Sequence, residues 1–185
     1  GEYVETKDEA AFYGPKIDVM IEDAIGREWQ LTTIQLDFNQ PENFDMTYTG
    51  EDGKPHRPAV LHVAILGALE RFIGVIIEHY SGAFPYWLAP VQVKIVPVAQ
   101  DFNKYANEVF EDLKAAKVRV ELDDSRDSLG KKIRNSEHEK IPYIFVVGEK
   151  EMTNKTVAVR DYATKKQEVM PLKKFLDAHA APAGR

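Results

Sequence analysis

In the first half of the chain, the residues best suited to chemistry are a neighbouring glutamate and arginine, Glu70 and Arg71, in the stretch GALERFIGVIIE. Gly67 interrupts a long apolar run, so we expect a strand up to Leu66 and a helix that begins near Leu69. Arg71 then lies in the first helical turn, where free backbone N–H groups and the helix dipole favour an anion. A guanidinium there favours phosphate as the ligand, because it can grip phosphate with two hydrogen bonds.

A purely structural role for Arg71 is the alternative. The arginine can form an ion pair with a carboxylate at the edge of the core, and both Glu70 and Glu78 lie near enough in sequence. From spacing alone this is the commoner outcome, so the phosphate interpretation depends on what surrounds the arginine.

Polar side chains on otherwise apolar predicted strands supply those surroundings. They are Tyr13, Lys16, Gln30, Thr32, Thr33 and Gln35. Regular alternation puts Gln30 and Thr32 on one face of their strand, with Thr33 and Gln35 on the other. Polar groups in this position need partners, either neighbouring backbone or a ligand.

His62 lies inside the most hydrophobic predicted strand, AVLHVAIL. A lone histidine in such a strand is more often hydrogen-bonded than bound to a metal, and the sequence contains no HxH, HExxH or CxxC pattern. The 185 residues also include no cysteine, which excludes disulfides and cysteine-ligated metals.

Composition favours a soluble protein with two parts. No apolar stretch reaches the roughly 18 residues that a membrane span requires, and the N-terminal GEYVETKDEA has no signal-peptide character. Residues 1–92 hold 6 Lys and Arg against 15 Asp and Glu, whereas residues 93–185 hold 18 against 15. The second part is therefore better suited to a polyanion.

The elements predicted along the chain divide at the proline-rich and aromatic segment GAFPYWLAP. We predict a first domain over 1–84, a linker over 85–90 and a second domain over 91–185. The first has antiparallel strands at 16–21, 28–36, 45–49 and 59–66, then a helix at 69–80. The second alternates strands and helices, which predicts an α/β fold with a mixed, mainly parallel sheet. Its strands are 91–98, 118–122, 141–147 and 156–160, and its helices are 102–116, 129–135 and 172–180.

Four segments, AFYGPKIDV, WQLTTIQLDF, TGEDGKPHRPAVLHVAILGALERFIGVIIE and FPYWLAPVQV, together closely resemble the threonyl-tRNA synthetases, which are class II aminoacyl-tRNA synthetases. GALERF resembles motif 3 of that class, whose arginine contacts the ATP phosphates. The resemblance therefore implies this role for Arg71, with Glu70 helping to organise the site.

The same resemblance implies roles for the other polar residues. Tyr13 and Lys16 match positions near the threonyl-adenylate, Gln30 matches an ATP-side residue, and Thr33 and Gln35 line the substrate pocket. His62 matches one of three ligands of a zinc ion that holds threonine by its amino and hydroxyl groups. Such a metal rejects valine, which has no hydroxyl.

The resemblance also implies that parts of the family's site belong upstream of Gly1. These are motif 1, the motif 2 arginine and the other two zinc ligands. We therefore expect that this chain alone neither activates threonine nor binds zinc, although the full-length family uses ATP with Mg²⁺ and Zn²⁺. Within the matched region the chain has Ala68 where serine is common, and Val63 where many members carry arginine.

The second domain resembles the anticodon-binding domain of class II synthetases, which implies base reading by Glu151 and Arg160. Arg126 stands at a third anticodon position, where asparagine is usual. Tyr143 or Phe145 can stack on a base only if exposed, and we expect both in the core. Candidate phosphate contacts, whose alternative is a solvated surface, are Lys131, Lys132, Arg134, Lys150 and Lys155.

The sequence thus predicts the C-terminal half of a threonine–tRNA ligase that binds tRNA. Threonine and ATP are partners of the intact homodimeric enzyme, which we expect in the cytoplasm, and neither a membrane nor DNA is expected as a partner. The alternative is a stand-alone tRNA- or protein-binding module that never catalyses. A third interpretation is a nucleotide-binding domain unrelated to synthetases, which would require the order of the matched segments to be accidental.

Overall fold

Each half of the chain builds its own β-sheet. The computed structural model describes residues 3–6 and 10–179, and the chain divides between His79 and Tyr80 into two units. The first unit has an antiparallel sheet and the second a mixed one, as the sequence predicts. No helix in the described part of the chain is long and apolar enough to cross a membrane.

The first unit carries a three-stranded sheet in the order β1-β2-β5 and a two-stranded β3-β4 hairpin. Its elements are β1 (Lys16–Glu22), β2 (Glu28–Asp37), α1 (Asn39–Asn43), β3 (Tyr48–Thr49), β4 (Pro55–His56), β5 (Val60–Ala64) and α2 (Leu69–His79). The strand predicted over 45–49 is thus only two residues long. Helix α1 was not predicted, and it begins where Asp37 Oδ1 accepts the N–H groups of Asn39 and Gln40.

A β-bulge in β2 changes which side chains share a face. Asp18 of β1 pairs with Thr33 and Val19 with Thr32, but Met20 pairs with Gln30, so Leu31 is an extra residue. Such a bulge inverts the alternation beyond it. The prediction that Gln30 lies opposite Thr33 is therefore wrong, and the two side chains lie on one face.

The other face of this sheet is apolar and largely exposed. Strand register places on it the side chains of Ile17, Val19, Ile34, Leu61 and Val63, each at least 37% exposed. Exposed apolar area of this kind marks a surface that is normally covered.

The second unit has a five-stranded sheet in the order β10-β9-β8-β6-β7. Its elements are β6 (Val93–Pro97), α3 (Asn103–Ala115), β7 (Val120–Leu122), α4 (Leu129–His138), β8 (Tyr143–Val147), α5 (Glu149–Asn154), β9 (Thr156–Asp161), β10 (Gln167–Pro171) and α6 (Leu172–His179). Strand β6 is parallel to β7 and β8, whereas β9 is antiparallel to both of its neighbours. The sheet is mixed as predicted, but it is not mainly parallel.

The sheet is not mainly parallel because β10, which was not predicted, adds a second antiparallel pair. Helix α5 was not predicted either. The predicted terminal helix ends at His179 in the structure, and Ala180 lies outside the described residues. Helix α3 turns Tyr105, Val109 and Leu113 into the core as predicted, and Phe110 is only partly buried against it.

The segment that precedes β6 is fastened to the second unit by side chains. Gln92 Nε2 donates to the Tyr86 carbonyl, and Arg119 donates to the carbonyls of Trp87 and Ala89 at 2.8 and 2.9 Å. The backbone over 86–89 is therefore held in place, although the limits of a linker over 85–90 stay a prediction.

Candidate functional site

The polar face of the first sheet is built by strand register. Lys16, Gln35 and His62 are consecutive partners across β1, β2 and β5, and Asp18 and Thr33 form the next row. Register partners project to the same face. Four of the five strand residues predicted for this site, Lys16, Thr33, Gln35 and His62, are thus brought together by the fold. Tyr13 lies beside them, and the bulge adds the fifth strand residue, Gln30.

Asp18 links three of the predicted residues. Its Oδ1 accepts hydrogen bonds from Gln30 Nε2 at 2.7 Å and Thr33 Oγ1 at 2.8 Å, and its Oδ2 lies 2.6 Å from Lys16 Nζ. Burial by itself raises the pKa of Asp18, but the hydrogen bonds from Lys16 and Thr33 outweigh it and leave the pKa below its ordinary value. The carboxylate therefore stays ionised and holds its neighbours as donors.

Tyr13 reaches this face through a backbone turn that only glycine permits. A Cβ on Gly14 would lie 2.2 Å from the Leu36 carbonyl oxygen, closer than any side chain allows. This approach lets Leu36 N–H bond to the Pro15 carbonyl. Tyr13 Oη, carried by the turn, donates to Gln35 Oε1 at 3.3 Å.

Arg71 lies in the first turn of α2, as the sequence predicts. Gly67 enables the preceding turn, because its φ is +62° and a Cβ there would lie 2.6 Å from the Leu31 carbonyl oxygen. Arg71 Nη1 donates to the Gln30 carbonyl at 2.9 Å, and the guanidinium lies over the Trp29 ring. The side chain is therefore anchored beside the polar face and is still exposed.

Neither Glu70 nor Glu78, the two possible ion-pair partners, pairs with Arg71 in the described part of the chain. Glu78 lies 3.6 Å from Arg27 instead. Glu70 is exposed in the first turn of α2 and makes no hydrogen bond or ion pair within the part of the chain that the structure describes. The ion-pair explanation of the Glu-Arg sequence is thus unsupported, and the organising role of Glu70 stays a prediction.

His62 is exposed on β5, and its Nε2 lies 3.0 Å from Asp37 Oδ2. Asp37 is nearly fully buried. The N–H of Gln40 lowers the pKa of Asp37 most, and the bond to His62 also lowers it. This pair gives the histidine a protein partner, as expected for a histidine outside a complete metal site.

In the second unit, Arg160 and Glu137 form an ion pair. Arg160 lies on β9 and Glu137 near the end of α4, and Glu137 Oε1 accepts from Arg160 Nε at 3.1 Å and Nη2 at 2.9 Å. Both side chains are 30% exposed. The guanidinium thus has one edge held by protein and remains accessible.

Glu151 has a structural task in α5. Its Oε2 accepts the N–H of Gly148 at 3.0 Å, which completes a capping box at the start of the helix. Arg126 is exposed in the loop after β7, and no hydrogen bond or ion pair to it occurs among residues 10–179. The fold does not join Glu151, Arg160 and Arg126 by any direct bond.

The candidate phosphate and base contacts separate by burial. Phe145 is fully buried, so the structure excludes it from base stacking, and Tyr143 is half-buried with its hydroxyl 3.0 Å from His179 Nε2. Lys132 is also wrong as a phosphate contact, since it is 2% exposed and donates to the Asp123 carbonyl. The remaining cations are exposed: Lys131, Arg134, Lys150 and Lys155.

Comparison with known families agrees with this division of the chain. Residues 2–80 match the tRNA synthetase class II core domain (G, H, P, S and T), and residues 92–180 match the anticodon binding domain. The chain belongs to the class II tRNA synthetase family. The core-domain match covers the unit with the antiparallel sheet, and the anticodon-domain match lies in the unit with the mixed sheet.

The similar curated proteins are threonine–tRNA ligases. The relative from Chloroherpeton thalassium is 54% identical over 168 residues, which is 91% of this chain and 26% of that protein. The relative from Geobacillus sp. is 50% identical over the whole chain and 29% of its own length. The chain thus spans less than a third of the length of these two curated relatives.

Solved structures extend the comparison to the fold. The RNA binding domain of threonyl-tRNA synthetase from Cryptosporidium parvum superposes with a TM-score of 0.86 at 37% identity, covering 95% of this chain and 46% of that one. Prolyl-tRNA synthetase from the same organism, complexed with L-proline and AMP, gives 0.70 at 25% identity, covering 92% and 39%. The class II α/β fold predicted from the sequence is therefore confirmed.

The residues present do not complete the zinc site that the resemblance implies. No three His, Asp or Glu side chains in the described ranges 3–6 and 10–179 form a group able to hold a metal. His62 offers one nitrogen, with Asp37 beside it. A catalytic zinc needs about three protein ligands, so His62 and Asp37 do not form such a site by themselves.

Two residues of these class II sites escaped the sequence analysis. Asp18 was treated only as part of an alternating strand, and Glu137 lies just beyond the helix predicted over 129–135, although the observed helix includes it. The signal that identifies Asp18 was present, since Lys16 and Asp18 occupy one face of β1 at a spacing of two residues. Nothing in the sequence pairs Glu137 with Arg160, because they are distant along the chain and meet only across α4 and β9.

Proposed function

We propose that the chain is the part of a threonine–tRNA ligase that carries one wall of the adenylate site and the anticodon-reading domain. The observation that carries the proposal is the continuous similarity to threonine–tRNA ligases across both units, 50% identical over all 185 residues in one relative. The ligase joins threonine to ATP with release of pyrophosphate, then passes the threonyl group to the terminal ribose of tRNA.

The first unit contributes charge and hydrogen bonds to the activation step. In this scheme Arg71 neutralises the ATP phosphates, where developing charge is greatest, and its bond to the Gln30 carbonyl supports that role by orienting the guanidinium. Tyr13, Lys16, Gln30, Thr33 and Gln35 bind the adenylate in this scheme, with Glu70 organising the helix start. The bonds that join Lys16, Gln30 and Thr33 to Asp18, and Tyr13 to Gln35, favour this role, because a preorganised site loses little conformational entropy on binding.

The exposed apolar face of the first sheet supports the same assignment. A three-stranded sheet with that face uncovered is what remains when further elements of a larger core are absent, and the relatives are several times longer than this chain. We infer that the complete ligase is a homodimer in the cytoplasm that uses Mg²⁺ with ATP and Zn²⁺ with His62. Residues 1–84, 85–90 and 91–185 are the proposed limits of core, linker and anticodon-binding domain.

A chimaera tests the catalytic part of the proposal. This chain replaces the matching segment of the Chloroherpeton thalassium enzyme, and threonine-dependent exchange of pyrophosphate into ATP is measured. We expect exchange in the chimaera and a fall of about a hundredfold or more in its Arg71→Ala variant. The isolated chain serves as the control without exchange. Equal activity with and without Arg71 would overturn the assignment.

Binding of RNA tests the second unit. An anticodon stem-loop with a threonine anticodon is compared with one whose anticodon bases are changed, at two salt concentrations. A preference for the threonine anticodon that Arg160→Ala abolishes supports base reading. Equal and salt-sensitive binding to both RNAs would mean phosphate attraction alone. The alternative of a non-catalytic binding module is favoured if the chimaera is inactive, whichever way the RNA result falls.

A further inference from the structure

Glu137 holds one particular edge of the Arg160 guanidinium. The Nε and Nη2 atoms both donate to the same oxygen, Glu137 Oε1, at 3.1 and 2.9 Å. A guanidinium has five donors in a rigid plane. The edge formed by Nη1 and Nη2 makes no further hydrogen bond within residues 10–179, and the side chain is 30% exposed.

The surroundings leave that free edge accessible. Arg160 has Ile144 of β8 and Gln167 of β10 as register partners, and these side chains lie on its own face of the sheet. Ile144 is buried, whereas Gln167 is exposed. Lys165 Nζ lies 3.9 Å from Glu137 Oε1 and is the second cation at this carboxylate.

The Glu137–Arg160 pair sets both the local charge and the direction in which the guanidinium can donate hydrogen bonds. An unpaired arginine attracts any phosphate, which adds affinity without sequence information. Glu137 offsets part of that attraction by its opposite charge and holds the Nε and Nη2 edge, which leaves the Nη1 and Nη2 edge free to donate as a fork. Such a fork matches a base edge with two adjacent acceptors.

We propose that Glu137 is a positioning residue for anticodon reading: it restricts Arg160 to a base edge and keeps it from binding phosphate. This inference rests on the proposed function, in which Arg160 reads the anticodon. The residue does not touch RNA itself in this scheme, and it acts only through the arginine.

The test compares Glu137→Ala with the parent chain on the two stem-loop RNAs used above. We expect the preference for the threonine anticodon to fall by about tenfold. We also expect affinity for the altered RNA to rise with a steeper salt dependence, because a freed arginine contacts phosphate. Unchanged preference, or a uniform loss of affinity for both RNAs, would overturn the proposal.

A matched control removes a carboxylate of the same sheet whose register places it on the face opposite to Arg160. Glu168 of β10 pairs with Lys174 at 2.8 Å and is largely exposed. Glu168→Ala changes net charge equally, so it should keep the preference of the parent chain. A loss of preference in this variant equal to that in Glu137→Ala would assign the effect to net charge and refute positioning.

Two further variants separate this inference from the proposed function. If Arg160→Ala leaves the preference intact, anticodon reading by Arg160 fails. If Arg160→Ala abolishes it while Glu137→Ala does not, only the positioning role fails. Glu137→Gln keeps an oxygen as acceptor without the charge, so it should recover part of the preference while the steeper salt dependence remains, and it guards against a folding defect in the alanine variant.

Discussion

Gln30 Nε2 lies 2.8 Å from Thr33 Oγ1, so two side chains three positions apart share one face of β2. Regular alternation would place them on opposite faces. The extra residue Leu31 at the bulge reverses the pattern, and Asp18 receives a hydrogen bond from each of the two side chains. The polar face therefore depends on one carboxylate that joins both sides of the bulge.

Replacing Asp18 by asparagine should destabilise the first unit. The amide oxygen can still accept from Gln30 and Thr33, but the NH₂ group then faces the Lys16 ammonium and cannot hold it by charge or as an acceptor. We expect a loss of about 1–2 kcal/mol in the free energy of unfolding, typical of a broken charged hydrogen bond. Urea titration followed by Trp29 fluorescence measures it, in a Trp87→Phe background so that one tryptophan reports.

The control for Asp18→Asn is Glu51→Gln. Glu51 is an exposed acid in the loop between β3 and β4 and makes no hydrogen bond or ion pair in the described ranges. It should leave the unfolding midpoint unchanged. An Asp18→Asn variant as stable as this control would show that the bonds of Asp18 contribute nothing.

The polar residues of this site could be predicted from the sequence, but their arrangement could not. Tyr13, Lys16 and Gln35 stand where local spacing and the resemblance place them, because regular strands fix their faces. Gln30 departs from its predicted face because a bulge depends on the pairing of two strands, and no single strand encodes it. Helix α1 was missed for a similar reason, since its start depends on the side chain of the last residue of β2, Asp37.

In the second unit, β10 and the Glu137–Arg160 pair escaped prediction for different reasons: β10 lacks an apolar pattern, and the ion pair joins residues that are distant along the chain. Strand β10 is mostly exposed, and it pairs along only one edge, with β9. Its polar residues therefore lack the apolar pattern that identified β8. Lys132 is the opposite case. It is charged and lies in a basic segment, so it was expected to be exposed, but it is buried.

The turn between β1 and β2 should be sensitive to acid. Asp23 accepts hydrogen bonds from Trp29 Nε1, the N–H groups of Ile25 and Arg27, and Arg27 Nε. The bond from Trp29 is the largest cause that lowers the pKa of Asp23 well below its ordinary value of 3.8. A lowered pKa in the folded state stabilises the fold above the unfolded pKa, and this contribution is lost as the pH falls through the folded pKa.

Asp23→Asn tests this linkage. The parent chain should be more stable than the variant at neutral pH, and the difference in the free energy of unfolding should shrink as the pH falls below about 4. Urea titrations of Trp29 fluorescence at several pH values measure both chains. A difference that stays constant down to the lowest pH would contradict the assignment, as would one that grows.

His62 should not by itself give the chain a zinc site. Its Nε2 is bonded to Asp37, and about three ligands are needed to hold a catalytic zinc. We expect His62→Ala to bind Zn²⁺ as weakly as the parent chain in calorimetric titrations. His56, which pairs with Asp52 on the exposed hairpin, provides a matched histidine for comparison. A tenfold or greater loss of affinity confined to His62→Ala would contradict this expectation.

Glu151→Ala should change stability as well as RNA binding, which complicates its use as an anticodon variant. The alanine removes the acceptor for Gly148 N–H and opens the capping box of α5. Loss of such a cap costs about 0.5–2 kcal/mol. Amide hydrogen exchange of Gly148 should therefore become faster, a local signal that a purely base-reading side chain would not produce.

Glu151→Gln separates the two roles, because its amide oxygen still accepts from Gly148 while the charge is gone. We expect Gly148 exchange close to that of the parent chain and a reduced preference for the threonine anticodon if Glu151 reads a base. Normal preference in Glu151→Gln together with a weakened Glu151→Ala would assign this glutamate to the helix cap alone. Base recognition by the second unit would then depend on Arg160, with Arg126 as the remaining candidate.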